Sequence, residues 1–284
     1  SFGYDVLGFG SSATTGVVLP SDDEFNRVSF LAHMEGANNG VNNAFDDGSA
    51  SNHTITANSG ATQGSFGPFA RPDGEWGVAF DGSNDYLTAA TSSDFDLGTG
   101  DFTIECWINN NATGEFGIVG DMAGNGDTDS YCMWWSSSAD QIRFGTANLA
   151  NMIGWGITQT LNAWNHIAVI RSSGAIKFFY NGTEVTVRAV DSGDLDGATF
   201  NAPTPMYIGD FNDGSAKMKG YMSNVRIVKG TAVYTSNFTP STAPLTAVTN
   251  TKLLTCQSNR FVDNSASAHT ITPSGNPSVS AFGP

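Results

Sequence analysis

Gly77-Val78-Ala79-Phe80-Asp81-Gly82-Ser83-Asn84-Asp85-Tyr86-Leu87 is the stretch that decides the fold, because three later segments complete it. The first is Asp101-Phe102-Thr103-Ile104-Glu105-Cys106-Trp107-Ile108; the others are Trp164-Asn165-His166-Ile167-Ala168-Val169, leading to Asn181-Gly182, and Gly220-Tyr221-Met222-Ser223-Asn224-Val225-Arg226-Ile227. Phe102, Ile104, Cys106 and Ile108 alternate with Thr103, Glu105 and Trp107. Period two puts one set on a sandwich core and the other on an outer or concave face, so Glu105 is not expected to be buried alone. Ile176, Phe178 and Tyr180 alternate with Lys177 and Phe179, and Asn181-Gly182 supplies the positive φ angles of a two-residue hairpin before Glu184 to Val190. Asp73-Gly74, Asp81-Gly82, Asp196-Gly197 and Asp213-Gly214 punctuate the chain at the short intervals that packed antiparallel strands require.

Composition agrees. Val, Ile, Thr, aromatic residues and 33 Gly, with abundant Asn, Ser and Asp, outweigh the residues that long helices need, so few helices are expected. A chain of 284 residues suffices for one large all-β domain with appendages. A net charge of -15 with only 12 Lys and Arg argues against nucleic acid and against an anionic membrane surface. No apolar run reaches the roughly eighteen residues of a bilayer span, and no signal-peptide pattern opens the chain, so no membrane insertion is expected. Cys106, Cys132 and Cys256 leave an odd thiol; Cys106 and Cys132 lie in apolar strand-like runs and read as small buried hydrophobes, with no disulfide framework implied.

A repeat frames the strands. Asp47-Gly48-Ser49-Ala50-Ser51-Asn52-His53-Thr54-Ile55-Thr56 returns as Asp263-Asn264-Ser265-Ala266-Ser267-Ala268-His269-Thr270-Ile271-Thr272, and Phe66-Gly67-Pro68 returns in step as Phe282-Gly283-Pro284. Eleven of these twenty-two positions are identical. Phe30-Leu31-Ala32-His33 loosely matches Leu253-Leu254-Thr255-Cys256, with a linker of different length. Two copies are too few for a solenoid. Either both are edge elements of one domain, or the second opens a following module. Residues 1–28 differ from the rest and read as an N-terminal arm; its Phe2, Tyr4, Val6, Leu7 and Phe9 suit docking on a neighbouring chain or on the sandwich, and deletion of 1–20 is expected to abolish assembly without unfolding.

Catalysis finds little support. A retaining glycosidase holds two carboxyl groups about 5 Å apart, which one strand supplies from positions two or four apart. Glu24, Glu35, Glu75, Glu105, Glu115 and Glu184 are scattered, and Glu105 has no acidic partner at those offsets. The repeated Asp-x-Ser-x-Ser-x-His unit suggests a Ser-His-Asp set, but turn closure explains its Asp and Ser, and strand starts explain His53 and His269. No Gly-x-Ser-x-Gly elbow and no zinc-type Cys/His spacing is present. Calcium is the metal to consider: Asp121, Asp127 and Asp129 on one glycine-rich loop, and Asp210 and Asp213 on another, offer oxygen ligands, with ordinary solvated turns the favoured reading of both. Tyr131, Trp134, Trp135 and Trp155 cluster mid-chain as candidates for stacking on sugar rings; alternation sends Trp134 and Trp135 to opposite faces, so one of the two is expected to be exposed.

The four quoted segments together resemble the laminin-G-like domain of the concanavalin A-like lectin/glucanase superfamily. The resemblance implies an all-β, two-sheet antiparallel jelly-roll sandwich over 29–284, preceded by the arm, with both repeat elements (47–68 and 263–284) included. It also implies a structural His166, in the Trp-x-His strand start, and rim loops of a kind that bind Ca²⁺. Lys219-Gly220-Tyr221-Met222-Ser223-Asn224-Val225-Arg226-Ile227-Val228-Lys229-Gly230-Thr231-Ala232-Val233-Tyr234, followed by Asn237-Phe238-Thr239-Pro240, Pro244-Leu245 and Thr251-Lys252-Leu253-Leu254, is similar to laminin-G-like proteins of marine bacteriophages. What that implies is a non-enzymatic virion surface protein, a fibre, knob or capsid-decorating subunit, partnered by other virion proteins or copies of itself and adhering to cell-surface glycans. The alternative is a secreted or cell-surface bacterial lectin-like adhesion module, extracellular rather than virion-borne.

Overall fold

The computed structural model describes residues 29, 49, 51, 53–56, 76–121, 130–136, 141–146, 151–155, 157–190, 195–211, 216–281 and 283–284. The chain divides into two compact units, Ser1–Gln63 and Gly64–Pro284. The arm and most of the first repeat copy lie outside the described residues, as do Asp73-Gly74 and Asp213-Gly214. In the first unit, Ser51 N donates to Ser49 Oγ at 3.3 Å, closing the polar turn expected there.

The second unit is all-β, as expected; a 3-10 turn over Ser93–Phe95 is the one helical element among its described residues. Its strands are β1 (Gly77–Asp81), β2 (Tyr86–Ala89), β3 (Phe102–Asn110), β4 (Phe116–Gly120), β5 (Tyr131–Ser136), β6 (Gln141–Thr146), β7 (Asn151–Trp155), β8 (Asn165–Ser172), β9 (Ala175–Tyr180), β10 (Thr183–Val190), β11 (Met206–Ile208), β12 (Lys219–Lys229), β13 (Thr251–Thr255), β14 (Ile271–Ser274) and β15 (Ser278–Ser280). All pairings among the described strands are antiparallel. One sheet runs β15-β1-β12-β3-β8-β9-β10, with β13 continuing the β1 edge of β12. The other runs β14-β2-β11-β4-β5-β6-β7-β10. β10 belongs to both, pairing β9 through Thr183–Val185 and β7 through Thr186–Val190.

The alternation predicted for β3 holds. Phe102, Ile104, Cys106 and Ile108 are buried in the main core with Val169 and Phe178 of the same sheet and Leu87, Met133, Phe144 and Ile208 of the other. Phe102, Tyr131, Phe144 and Phe200 meet ring to ring within it, at centroid distances of 5.0 to 6.1 Å. The hairpin also holds: Asn181 and Gly182 have φ of 49° and 76° between β9 and β10. Gly182 is required twice over, since a Cβ there would stand 2.0 Å from the Phe238 carbonyl oxygen, whose own N–H donates to the Gly182 carbonyl. Cys106, Cys132 and Cys256 are all free and buried.

Candidate functional site

Glu105 occupies the outer face of β3 and is fully buried there. The segment after β12 covers it: Thr103 Oγ1 donates to the Thr231 carbonyl at 3.0 Å and accepts from Val233 N at 2.9 Å. Tyr234 and Phe238 then stack with centroids 3.6 Å apart and pack on Ala168, Ile170 and Phe179. Under this cover, Arg226 Nε and Nη2 donate to Glu105 Oε1 at 2.8 and 2.5 Å, and Tyr234 donates its hydroxyl to Oε2 at 2.9 Å. His166 Nε2 lies 3.0 Å from the same Oε2. Burial alone would raise the Glu105 pKa, but the His166 hydrogen bond and the charges of Arg226 and His166 outweigh it and hold the carboxyl below the usual glutamate value. Burial and the Glu105 charge push the Tyr234 hydroxyl well up. His166 therefore has the structural place that its Trp-x-His context implies, and Glu105 is a tethered anion with every approach closed.

A bulge produces this alignment. Ser223 stands opposite Trp107, yet the next outward pair is Arg226 with Glu105, so β12 inserts one extra residue where β3 has none. Asn224 takes the left-handed conformation at that point, φ 52°, and its side chain is tied down by Ser223 and by Leu245 N. The bulge turns Val225 and Ile227 into the core and Arg226 outward.

The mid-chain aromatic residues are placed differently from the sugar-stacking expectation. Tyr131 and Trp135 are fully buried in the main core, where Tyr131 donates its hydroxyl to the Phe95 carbonyl at 2.9 Å. Trp134 does point to the opposite face, but Phe211 and Ala216 cover it and leave it 5% exposed. Neither member of the Trp134-Trp135 pair is exposed; burial removes all three rings from stacking. Trp155 is on β7, and its side chain is outside the described residues.

The carboxylates proposed for calcium do not converge where they are described. Asp121, at the end of β4, accepts from Tyr131 N at 3.0 Å and Thr204 N at 3.4 Å. Asp210, beyond β11, accepts from Phe211 N at 2.7 Å and pairs with Lys217. Tyr207 faces Gly120 in antiparallel register, which puts Asp121 and Asp210 at opposite ends of that strand pair. Asp127, Asp129 and Asp213 lie outside the described residues, and no group of three or more His, Cys, Asp or Glu gathers among the described ones.

The outer face of the second sheet offers a cluster that sequence reading missed. Tyr86 of β2 and Tyr207 of β11 are both half-buried, with ring centroids 5.4 Å apart at 31°. Lys217 Nζ sits 4.7 Å above the Tyr86 ring while paired with Asp210. Thr88 lies directly beside Tyr207 across the strands, and Thr272 beside Thr88. Two part-exposed rings edged by hydroxyls and an ammonium form a surface on which a pyranose ring can stack and hydrogen-bond. Alternation in Tyr86-Leu87 and Met206-Tyr207-Ile208 signals that each Tyr leaves the core, but only the β2–β11 register brings the two together.

The family model described as the concanavalin A-like lectin/glucanases superfamily, in its laminin-G form, matches residues 81–233. A solved structure of a proposed carbohydrate-binding protein from Bacteroides ovatus is similar over 81% of this chain and 66% of its own, at 16% identity and a TM-score of 0.50. A heptameric pentraxin from Limulus polyphemus is similar over 57% of this chain and 80% of its own, at 15% identity and a TM-score of 0.42. The enzymatically active domain of a tailspike protein from bacteriophage CBA120 is similar over 52% of this chain and 24% of its own, at 17% identity and a TM-score of 0.38. No curated protein sequence matches the chain.

Proposed function

Because the chain belongs to the concanavalin A-like lectin/glucanase superfamily, in its laminin-G-like form, we propose that it is a non-enzymatic glycan-binding module. The observation that carries this reading is the Tyr86–Tyr207 pair beside Thr88, Thr272 and Lys217 on the outer face of the second sheet. Tyr207 is the ring left for a sugar, since Lys217 covers one face of Tyr86. Burial first, then Tyr86 and Asp210, raises the Tyr207 hydroxyl pKa, so it stays a neutral donor and acceptor at physiological pH. The non-enzymatic part rests on Glu105: the one glutamate of β3 is locked to Arg226, His166 and Tyr234 and has no room for a substrate. Binding of the chain to an array of neutral and acidic glycans, repeated with Tyr207→Ala, tests the proposal; unchanged binding by the variant would overturn this surface, and release of reducing sugar from a bound glycan would overturn the non-enzymatic reading.

We place this module on a virion surface, as a fibre, knob or capsid-decorating subunit, on the strength of the likeness of the Lys219–Leu254 region to laminin-G-like proteins of marine bacteriophages. A secreted or cell-surface bacterial adhesion module is the rival reading, and the same sandwich serves it equally. Mass spectrometry of purified particles and of the secreted fraction of the host separates the two. Recovery in fixed ratio to capsid or tail proteins supports the virion subunit; recovery from the host fraction alone excludes it.

A further inference from the structure

Lys217 is built into the tyrosine platform with its charge already matched. Gly209 N donates to the Ile118 carbonyl at 3.0 Å and Met218 N donates to the Gly209 carbonyl at 2.9 Å, which sets the lead into β12 beside the exit from β11. The approach is tight: a Cβ on Gly117 would stand 2.4 Å from the Asp210 carbonyl oxygen, and one on Gly209, at φ 84°, would meet the Phe80 ring at 2.9 Å. Asp210 is fixed by this packing, with its side chain 2% exposed. Its Oδ1 accepts from Phe211 N at 2.7 Å, and its Oδ2 accepts from the Lys217 ammonium. The Lys217 side chain, 11% exposed, holds its ammonium over the Tyr86 ring, and Tyr86 in turn meets Tyr207. We propose that Asp210, by holding the Lys217 charge, makes this surface selective for neutral over anionic sugars; the inference rests on the reading of Tyr207 as the ring on which a sugar stacks.

The charges decide the sign of the selectivity. Tyr86, Tyr207, Thr88 and Thr272 offer ring faces and hydroxyls, and Lys217 with Asp210 sums to zero. A neutral pyranose exchanges water there for ring contact and hydroxyl hydrogen bonds. A uronate brings a carboxylate that must shed water against these side chains, and the one ammonium among them is already bound to a buried anion. The Asp210 charge reaches the ring, since after burial and Tyr86 it contributes to the raised pKa of the Tyr207 hydroxyl. The same charge repels a carboxylate on a sugar stacked over that ring, and the net charge of -15 on the whole chain acts in the same direction. Without the Asp210 charge the balance reverses, because an ammonium beside the rings is a donor for a charge-assisted hydrogen bond to a sugar carboxylate. One carboxylate thus sets which class of glycan the platform takes.

Matched sugars test the proposal on the full chain. The probes are immobilised neutral oligosaccharides ending in glucose or galactose, and the same oligosaccharides with the primary alcohol of that terminal sugar oxidised to a uronate. The native chain should retain a neutral probe and bind its uronate counterpart several-fold more weakly. Asp210→Asn keeps an acceptor for Phe211 N but removes the charge. It should raise the uronate-to-neutral affinity ratio about fivefold or more, the scale of one part-exposed ion pair. That gain should disappear at about 0.5 M NaCl, which screens charges beyond a few ångströms. A native chain that binds both probes equally, or a ratio that Asp210→Asn leaves unmoved, would overturn the selectivity while leaving the platform standing. Retention of the neutral probes that Tyr207→Ala leaves intact would overturn the platform itself. The native-chain comparison decides the matter should Asp210→Asn fail to fold.

Discussion

Arg226 and Glu105 face each other across β12 and β3 because a single extra residue at Asn224 shifts the register between them. The pair is 121 residues apart in sequence and both partners are buried. In a low-dielectric setting two such charges cost desolvation that only close geometry and further hydrogen bonds offset. Tyr234 and His166 supply those on the carboxylate, and the Thr246 carbonyl accepts from Arg226 Nη1 at 2.8 Å.

Removing one partner leaves a buried charge without compensation. Glu105→Gln and Arg226→Met are each expected to destabilise the chain by about 3–5 kcal/mol, the scale of a broken buried pair. The double variant should cost clearly less than the sum of the singles. Urea denaturation of the four proteins gives the coupling energy; strict additivity would show that the two side chains do not stabilise each other.

The same carboxylate makes folding pH-dependent in a defined direction. Its pKa in the folded chain lies below the ordinary 4.5, so the unfolded state takes up the proton first. The stabilisation is complete above the unfolded value and is lost as the pH falls through the folded one. Unfolding free energies measured downward from about pH 6 should decline below the usual glutamate range, and Glu105→Gln should flatten that part of the profile. A profile identical in wild type and variant would contradict it.

Glycan retention should separate from stability at Tyr207. Tyr207→Ala is expected to abolish binding to whichever array glycan the wild type retains, while shifting the thermal midpoint by only a few degrees, because the ring is half-exposed. Thr88→Ala, which removes a neighbouring hydroxyl, should weaken binding less. Loss of folding in step with loss of binding would leave the tyrosine a packing residue.

Cysteine labelling reports the closed core. Burial raises the Cys106 thiol pKa well above its ordinary value, with Cys256 and Glu105 adding to it, and carries that of Cys256 to about 12. With Cys132 also buried, none of the three should react with a thiol reagent at pH 8 within the time in which denatured chain reacts fully. Fast labelling of the native protein would place a thiol at the surface.

Much of the architecture was legible because strands write their burial into local sequence. Period-two alternation marked the two faces of β3 and β9, and Asn181-Gly182 marked the hairpin, since only residues tolerant of positive φ turn a chain that tightly. The Asp263 turn was legible for the same reason: its hydrogen bonds reach only a few residues, apart from the one to Leu254 N nine positions away. The mid-chain aromatic residues show the limit. Tyr131, Trp134 and Trp135 look alike in sequence as core or as sugar platform, and Trp134 is buried only because Phe211 and Ala216 arrive from another strand connection.

The sequence by itself therefore determined the all-β class, the two faces of β3 and β9, the hairpin at Asn181-Gly182, and that one polar turn occurs twice. Tertiary structure decided the rest: that Tyr86 meets Tyr207, that Arg226 rather than Val225 meets Glu105, and that Tyr234 and Phe238 close over the pair. It also set the second copy of the repeat beside β1 and β2. The physical reason is range. Alternation and turn chemistry act over a few residues, whereas register and bulges are settled by packing between segments more than a hundred residues apart.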